Sequence, residues 1–512
     1  MLINSRTSKS IQNVKVALFF YFFNFLLQFF SRKIILDYLG SEILGLNTTT
    51  QNLLGFLNLA ELGIGSAVAY HLYKPLFERN QKVINEIVSI QGWFYRRVAC
   101  VVLSGACILM CFFPWIFSKA QIPLAYVYGS FLVALIASLL SYFINYRQIV
   151  LSADQQQYRI ITSTQSIGIA KVILQILAIR FFDYGYVWWL ALELFMAFVS
   201  SYALDCCVRK TYPWLRAKPS DGSMLQKQYP GIIVQTKQVF FHLIASYVLT
   251  QTSPLIIYAY TSLTLVAVYG NYLLIVNGVT KLLNALFNSI SAGIGNLVAE
   301  GDQQRIKLVF WELTVMRMWL ASVACFGMYR LGGAFIALWV GEEYLLPWSA
   351  FIVLIGITFI LLSRINDIFI SAYGLYQDIW AAITEVILNL GLSILLGYYW
   401  GLTGILLGVF ISLLIIVCCW KPYFLYKYGF KEDINEYVMR YFKIFCVLGI
   451  AWYLSNFFID YYINLSYTDY KSYFFLSFVV IGIYILISLI LLCLSDKVPL
   501  LFFKRFRGVL KW

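Results

Sequence analysis

Residues 13–33 read NVKVALFFYFFNFLLQFFSRK, and the run LFFYFFNFLLQFF at 18–30 within them carries no charge. A bilayer core about 30 Å thick is crossed by a helix of about 20 mostly apolar residues, which this stretch supplies. The same reading recurs outward along the chain at approximately 46–72, 97–118, 124–147, 160–182, 186–208, 238–260, 264–299, 308–330, 348–373, 379–399, 401–420, 441–463 and 473–495. The sequence therefore predicts an all-α, polytopic membrane protein with about 14 transmembrane helices.

Composition leads to the same class. Of 512 residues, 61% are hydrophobic, 18% aromatic and 12% charged, against an apolar fraction of roughly one half in soluble domains. A soluble globule is excluded, and disordered, collagen-like and coiled-coil chains fall with it. The ten cysteines (Cys100, Cys107, Cys111, Cys206, Cys207, Cys325, Cys418, Cys419, Cys446 and Cys493) sit in or at the ends of apolar runs without metal-ligand spacing, and read as small core residues. The start, MLINSRTSKSIQNVK, enters the first run without a small-residue cleavage site, so that span is expected to be retained.

A net charge of +14 would point to nucleic acid in a soluble protein; among membrane spans it is first a topology signal. With an even number of spans both termini share a side. Of the 38 Lys and Arg residues, 28 fall on that side, six on the other and four within spans, which predicts cytoplasmic termini and no nucleic-acid partner. The longest connection carries Pro213, Pro219, Asp221-Gly222 and Pro230-Gly231 and marks a linker. The expected organisation is a six-helix half over 1–208, a cytoplasmic linker over 209–237, a second six-helix half over 238–430, and two further helices with a basic tail over 431–512.

The two halves align weakly but in order. Ile34-Ile35-Leu36-Asp37-Tyr38 matches Ile256-Ile257-Tyr258-Ala259-Tyr260, Gly63-Ile64-Gly65 recurs as Gly293-Ile294-Gly295, and Glu78-Arg79-Asn80-Gln81 matches Glu300-Gly301-Asp302-Gln303. Many secondary transporters place a substrate site between such repeats and use broken helices at equivalent positions. The segments around Glu61 to Gly65, Pro254 and Gly293 to Gly295 are accordingly read either as hinges or as packing devices.

Enzyme and ATPase motifs are absent: there is no HExxH, GxxxxGK[ST] or GxSxG, and the two histidines, His71 and His242, read as packing residues. No catalytic residue, metal or cofactor is expected. Charges within spans are more informative, because in hydrocarbon each needs a partner or a wet cavity. They are Glu61, Lys171, Glu193, Lys281, Arg317, Arg364, Asp367 and Glu385. Arg364 and Asp367 are three apart and can neutralise each other, as can Arg317 and Glu312. Lys171 and Lys281 lack a same-helix acidic neighbour, so an anion in a cavity is the expected compensation. Arg32 and Lys33 can snorkel to the interface, although Asn24 and Gln28 place a polar stripe on the Arg32 face.

The segment from Phe30 to Asn47, with Arg32, Leu39-Gly40 and Leu44-Gly45-Leu46, is followed by Ala60-Glu61-Leu62-Gly63-Ile64-Gly65 and Leu72-Tyr73-Lys74-Pro75-Leu76. In order and spacing these resemble the polysaccharide-exporter branch of the multidrug/oligosaccharidyl-lipid/polysaccharide flippase superfamily. The motifs cover about residues 20–90. The resemblance implies a flippase of the bacterial inner membrane that carries undecaprenyl-diphosphate-linked oligosaccharide repeat units from the cytoplasmic to the outer leaflet by alternating access, for O-antigen, capsule or exopolysaccharide assembly. A polysaccharide polymerase and a chain-length regulator are its implied partners.

Carry-over by motif reaches Arg32 and the Glu61, Gly63 and Gly65 segment. Burial reasoning adds Lys171, Lys281 and Arg364 as substrate-binding cations in a cationic lumen, and Glu193 and Asp367 as coupling or gating residues. Competing readings are a cation-coupled multidrug exporter, whose cavity would be acidic, a peptidoglycan-precursor flippase, and a polytopic acyl- or glycosyltransferase. The last needs a catalytic His or acidic dyad in a larger loop, whereas Glu342-Glu343 lies in a short turn.

Overall fold

A computed structural model describes residues 2–61, 63–237, 240, 252–375, 378–463 and 469–495. Residues 241–251, with His242 and most of the seventh expected span, lie outside them, as do Leu62 and the basic tail from 496. The described residues are 88% helical and contain no strand. Eleven of their helical segments are long and apolar enough to cross a membrane. The chain divides into two compact units, Met1–Ala267 and Val268–Trp512.

The principal helices of the first unit are α1 (Leu2–Leu39), α2 (Ser41–Leu57), α3 (Ile64–Phe77), α4 (Gln81–Cys111), α5 (Leu124–Phe143), α6 (Gln157–Phe181), α7 (Gly185–Thr211) and α8 (Ser253–Tyr260). α6 packs along both α1 and α7, and α5 against α2, α4 and α7. The second expected span is not one helix: it separates into α2 and α3 around a 3-10 turn, Asn58–Glu61, and a left-handed Gly63. The connection at 209–237 is strapped along α4. Asn85 Oδ1 accepts from the Arg216 amide at 2.6 Å, Ser89 Oγ from the Lys218 amide at 2.8 Å, and the Tyr229 hydroxyl donates to Glu86 at 2.6 Å. Burial, and then the Glu86 carboxylate, push the Tyr229 hydroxyl up to about 12, so this strap bond keeps its proton at neutral pH.

The second unit contains α9 (Leu263–Glu300, whose first turn belongs to the first unit), α10 (Gln303–Val340), α11 (Trp348–Ser363), α12 (Asn366–Ala372), α13 (Ile379–Leu413), α14 (Asn435–Tyr462) and α15 (Tyr470–Ser495). α13 is two helices that turn at Gly401, whose φ is +55°. Ser393 Oγ donates to the Ile405 carbonyl at 3.0 Å and Asn389 Nδ2 to Ser412 Oγ at 3.3 Å, so the two arms run antiparallel. A Cβ on Gly404 would meet the Leu396 carbonyl, and one on Gly408 the Ser393 backbone. The GxxxG pair thus lets two backbones touch where lipid supplies no hydrophobic drive for association. The spans expected at 379–399 and 401–420 are these arms. Beyond α13 the chain runs through π-helical turns at Leu414–Trp420 and Leu425–Phe430. An aromatic core seats this region: Phe310 lies 5.1 Å from Phe369 and 5.2 Å from Phe430, tying α10, α12 and the second π-turn together.

Two turns that align in sequence share local geometry. Arg79 and Gly301 both have positive φ. The next residue, Asn80 or Asp302, caps the following helix by accepting from the Val83 or Arg305 amide at 3.2 and 3.1 Å. The aligned Gly-Ile-Gly segments differ: α2 and α3 are broken beside Gly63, whereas α9 runs unbroken through Gly293-Ile294-Gly295. Glycine lowers helix propensity by about 1 kcal/mol each, too little to interrupt a helix whose neighbours all favour it. Pro254 begins α8, a position where its missing amide leaves no hydrogen bond unmade. The cysteines correct another expectation: Cys325 is buried, but Cys100, Cys107, Cys111 and Cys419 are exposed on apolar helices.

Candidate functional site

In the first unit the break between α2 and α3 is held from several sides. The Ser138 and Tyr142 hydroxyls donate to Asn58 Oδ1 at 3.1 and 2.9 Å, and Glu61 lies within hydrogen-bonding reach of Tyr142. Gly63 adopts φ +89° and ψ −24°, and a Cβ there would stand 2.7 Å from the Thr236 carbonyl oxygen. Gly65 is different: it is an ordinary helical residue whose nearest neighbour would be the Tyr95 hydroxyl at 3.6 Å. Of the two motif glycines, only Gly63 is required by the backbone.

Arg32 is partly buried and donates to the Ala267 carbonyl at 3.0 Å. Asn24, on the stripe leading to it, donates to Gln165 Oε1 on α6 at 3.0 Å. Lys33 instead makes a half-exposed pair with Asp37 at 3.8 Å. The polar stripe on α1 is therefore a helix-contact face near Arg32.

Lys171 departs from the reading that an anion must compensate it. Its Nζ lies 2.6 Å from Glu193 Oε1 on α7, and Gln175 Nε2 donates to the other Glu193 oxygen at 2.9 Å. Two residues assigned to separate roles form one interhelical pair. Sequence offers only same-helix neighbours at three or four residues, and the partner lies 22 positions away on the packed helix.

In the second unit, α11 ends at Arg364, whose ψ of 106° takes the chain out of the helix before α12 begins. Arg364 Nε and Nη2 both donate to Asp367 Oδ2, at 2.9 and 2.7 Å. Lys421 Nζ donates to Asp367 Oδ1 at 2.6 Å. Arg317 converges on the same break: it is buried, its Nε donates to the Leu362 carbonyl at 2.7 Å, and its Nη2 donates to Asn284 at 2.7 Å. These bonds replace the pairing with Glu312 expected from sequence, because the guanidinium satisfies a carbonyl that the helix break leaves exposed. Buried Glu385 lies within electrostatic reach of Lys421 and Arg364. Lys281 is elsewhere, exposed on α9 one turn before Asn284.

Sequence reasoning missed Lys421, which closes an apolar run and reads as a cytoplasmic flanking charge. The signals available were Pro422 and the long apolar stretch continuing to 430. Arg364 lies 17 residues past Pro347, and Lys421 20 past Gly401. At 1.5 Å per residue, both are about 25–30 Å from the turns at the far end. The cluster thus sits near the Lys- and Arg-rich end of this unit, where Lys307 pairs with Glu432, and not at mid-span. Among the described residues no His, Cys, Asp and Glu group is arranged to hold a metal ion.

These features define a polytopic helical membrane protein with charged side chains gathered at interruptions of its spanning helices. Neither a family profile nor a curated protein matches the chain. Solved structures share its fold. One is the lipid II flippase MurJ in an inward closed conformation, with TM-score 0.62 and 15% identity over 94% of this chain and 98% of that one. Another is a multidrug resistance MATE family transporter of the MOP superfamily, inward-facing, with TM-score 0.59 and 12% identity over 81% and 97% of the two chains. At these identities the likeness is one of fold.

Proposed function

We propose that this protein is a flippase that moves undecaprenyl-diphosphate-linked oligosaccharide repeat units from the cytoplasmic to the outer leaflet of the bacterial inner membrane, for O-antigen, capsule or exopolysaccharide assembly. The observation that carries the reading is the gathering of Arg317, Arg364 and Lys421 around Asp367, with buried Glu385 in electrostatic reach, in a fold shared with a lipid II flippase. A diphosphate cannot enter hydrocarbon alone, and cationic side chains held near one end of the spans offer it a route. The N-terminal motifs around Arg32 and Glu61 support the same reading. The Lys and Arg distribution supports cytoplasmic termini, and on that topology an inside-negative potential favours outward movement of an anion by about 2.3 kcal/mol per charge per 100 mV. Arg32, Lys171, Lys281 and Arg364 are assigned to the substrate, and Glu61, Gly63, Gly65, Glu193 and Asp367 to coupling or gating. A polymerase and a chain-length regulator are the partners the family resemblance implies.

The test is leaflet accessibility of a labelled undecaprenyl-diphosphate oligosaccharide in proteoliposomes, with lipid II and an organic-cation dye in parallel. Movement of the oligosaccharide lipid, lost in Arg32→Ala inserted at normal level, supports the function and its cationic mechanism. Movement of lipid II alone reassigns the substrate to the peptidoglycan precursor. Dye efflux alone makes the protein a drug exporter.

A further inference from the structure

The Asp367 carboxylate is held in an unusual way for a simple helix staple. One oxygen receives a two-pronged Arg364 guanidinium and the other an ammonium, so both are engaged by cations. An arginine fork with a lysine is also how proteins hold a phosphate group, whose oxygens present similar spacing and charge. The cluster is part-buried: 32% of the Arg364 side chain, 36% of Asp367 and 17% of Lys421 are accessible. Arg317 lies within electrostatic reach and is locked to Leu362 and Asn284, so it contributes charge without moving. Lys421 stands between two π-helical turns, a rare backbone form that recurs at functional positions. Backbone interruptions thus adjoin both cations, the helix end at Arg364 and the π-turns on either side of Lys421.

We propose that Arg364 and Lys421 form a diphosphate-binding site at the Lys- and Arg-rich end of the second unit, and that Asp367 occupies it as an internal stand-in which the incoming diphosphate displaces. The chemistry is shared by a lipid diphosphate headgroup and by free pyrophosphate. Naming the lipid headgroup as the natural occupant rests on the proposed function; the anion site does not. Displacement leaves Asp367 beside a negatively charged ligand, so Asp367 weakens binding while helping the empty site to tolerate its cations. In a purely structural salt bridge the cations stay committed to Asp367, so no diphosphate would shield Lys421 in the wild type.

The experiment uses the full chain in nanodiscs, with inorganic pyrophosphate and farnesyl diphosphate as probes and farnesol as control. In the wild type, either diphosphate is expected to protect Lys421 from an amine-reactive label, read by mass spectrometry, and farnesol is not. Asp367→Asn is expected to bind pyrophosphate about tenfold tighter, the scale of one lost charge-assisted competitor, and Arg364→Gln to lose binding. Protection by farnesyl diphosphate at much lower concentration than pyrophosphate assigns the lipid headgroup; equal protection assigns the free diphosphate. Absence of protection by both probes in the wild type overturns the site even if Asp367→Asn does not fold, as does unchanged or weaker binding by a folded Asp367→Asn. Protection without glycolipid movement in proteoliposomes retains the site and removes the flippase reading, and movement without protection does the reverse.

Discussion

Replacing Gly63 with alanine tests whether the break between α2 and α3 is dictated by backbone geometry. At φ +89° an L-residue with a Cβ loses roughly 1–2 kcal/mol relative to glycine. The added methyl would also stand 2.7 Å from the Thr236 carbonyl oxygen and 3.1 Å from the Phe240 amide nitrogen. Both are backbone atoms that cannot rotate aside, and overpacking of that kind costs about 1–3 kcal/mol. The total expected loss is about 2–5 kcal/mol. Gly65→Ala is the internal control, since its Cβ would have ordinary room and alanine is the better helix former by about 1 kcal/mol. The assay is the unfolding midpoint of the full chain in one detergent, followed by tryptophan fluorescence. Gly63→Ala should unfold several degrees below the wild type, and Gly65→Ala at or above it. Equal midpoints for the two variants would refute the argument, and full recovery by Gly63→Asn, which tolerates positive φ but keeps the Cβ, would refute the clash half of it.

Lys171→Ala and Glu193→Ala should each destabilise by about 1–3 kcal/mol, a buried-pair value reduced for partial exposure, whereas the double variant loses less than the two together; additive losses in a double-mutant cycle would show that the pair is not coupled. Gly404→Leu and Gly408→Leu should prevent the α13 arms from meeting and lower the yield of folded protein, while Gly391→Leu, where a Cβ meets nothing within 4 Å, should leave it unchanged. Arg317→Lys should cost about 1–3 kcal/mol despite keeping its charge, because an ammonium cannot serve the Leu362 carbonyl and Asn284 as the guanidinium fork does; a wild-type unfolding midpoint would show that charge alone is needed there.

Much of the architecture is written in local composition. Helical spans are legible because each must satisfy its own backbone hydrogen bonds in hydrocarbon, which forces long apolar runs. The runs at 379–399 and 401–420 became the two arms of α13, and the turn motif at 78–81 and 300–303 became a shared cap because its hydrogen bond reaches only three residues. The Arg364–Asp367 pair was legible for the same reason, being three positions apart on the chain.

What sequence left open depends on distance along the chain. Glu193 meets Lys171 from 22 positions away, and Lys421 meets Asp367 from 54, so neither partnership has a local signature. Gly63 and Gly293 head the same tripeptide, yet only the first coincides with a helix break, because there the surrounding backbone at Thr236 and Phe240 fits closely over a left-handed residue. The sequence alone determined that the chain crosses a membrane many times and which charges it must shelter. Tertiary structure alone decided which of those charges meet, because a charge buried in low dielectric takes whatever partner the packing of distant helices brings within about 3 Å.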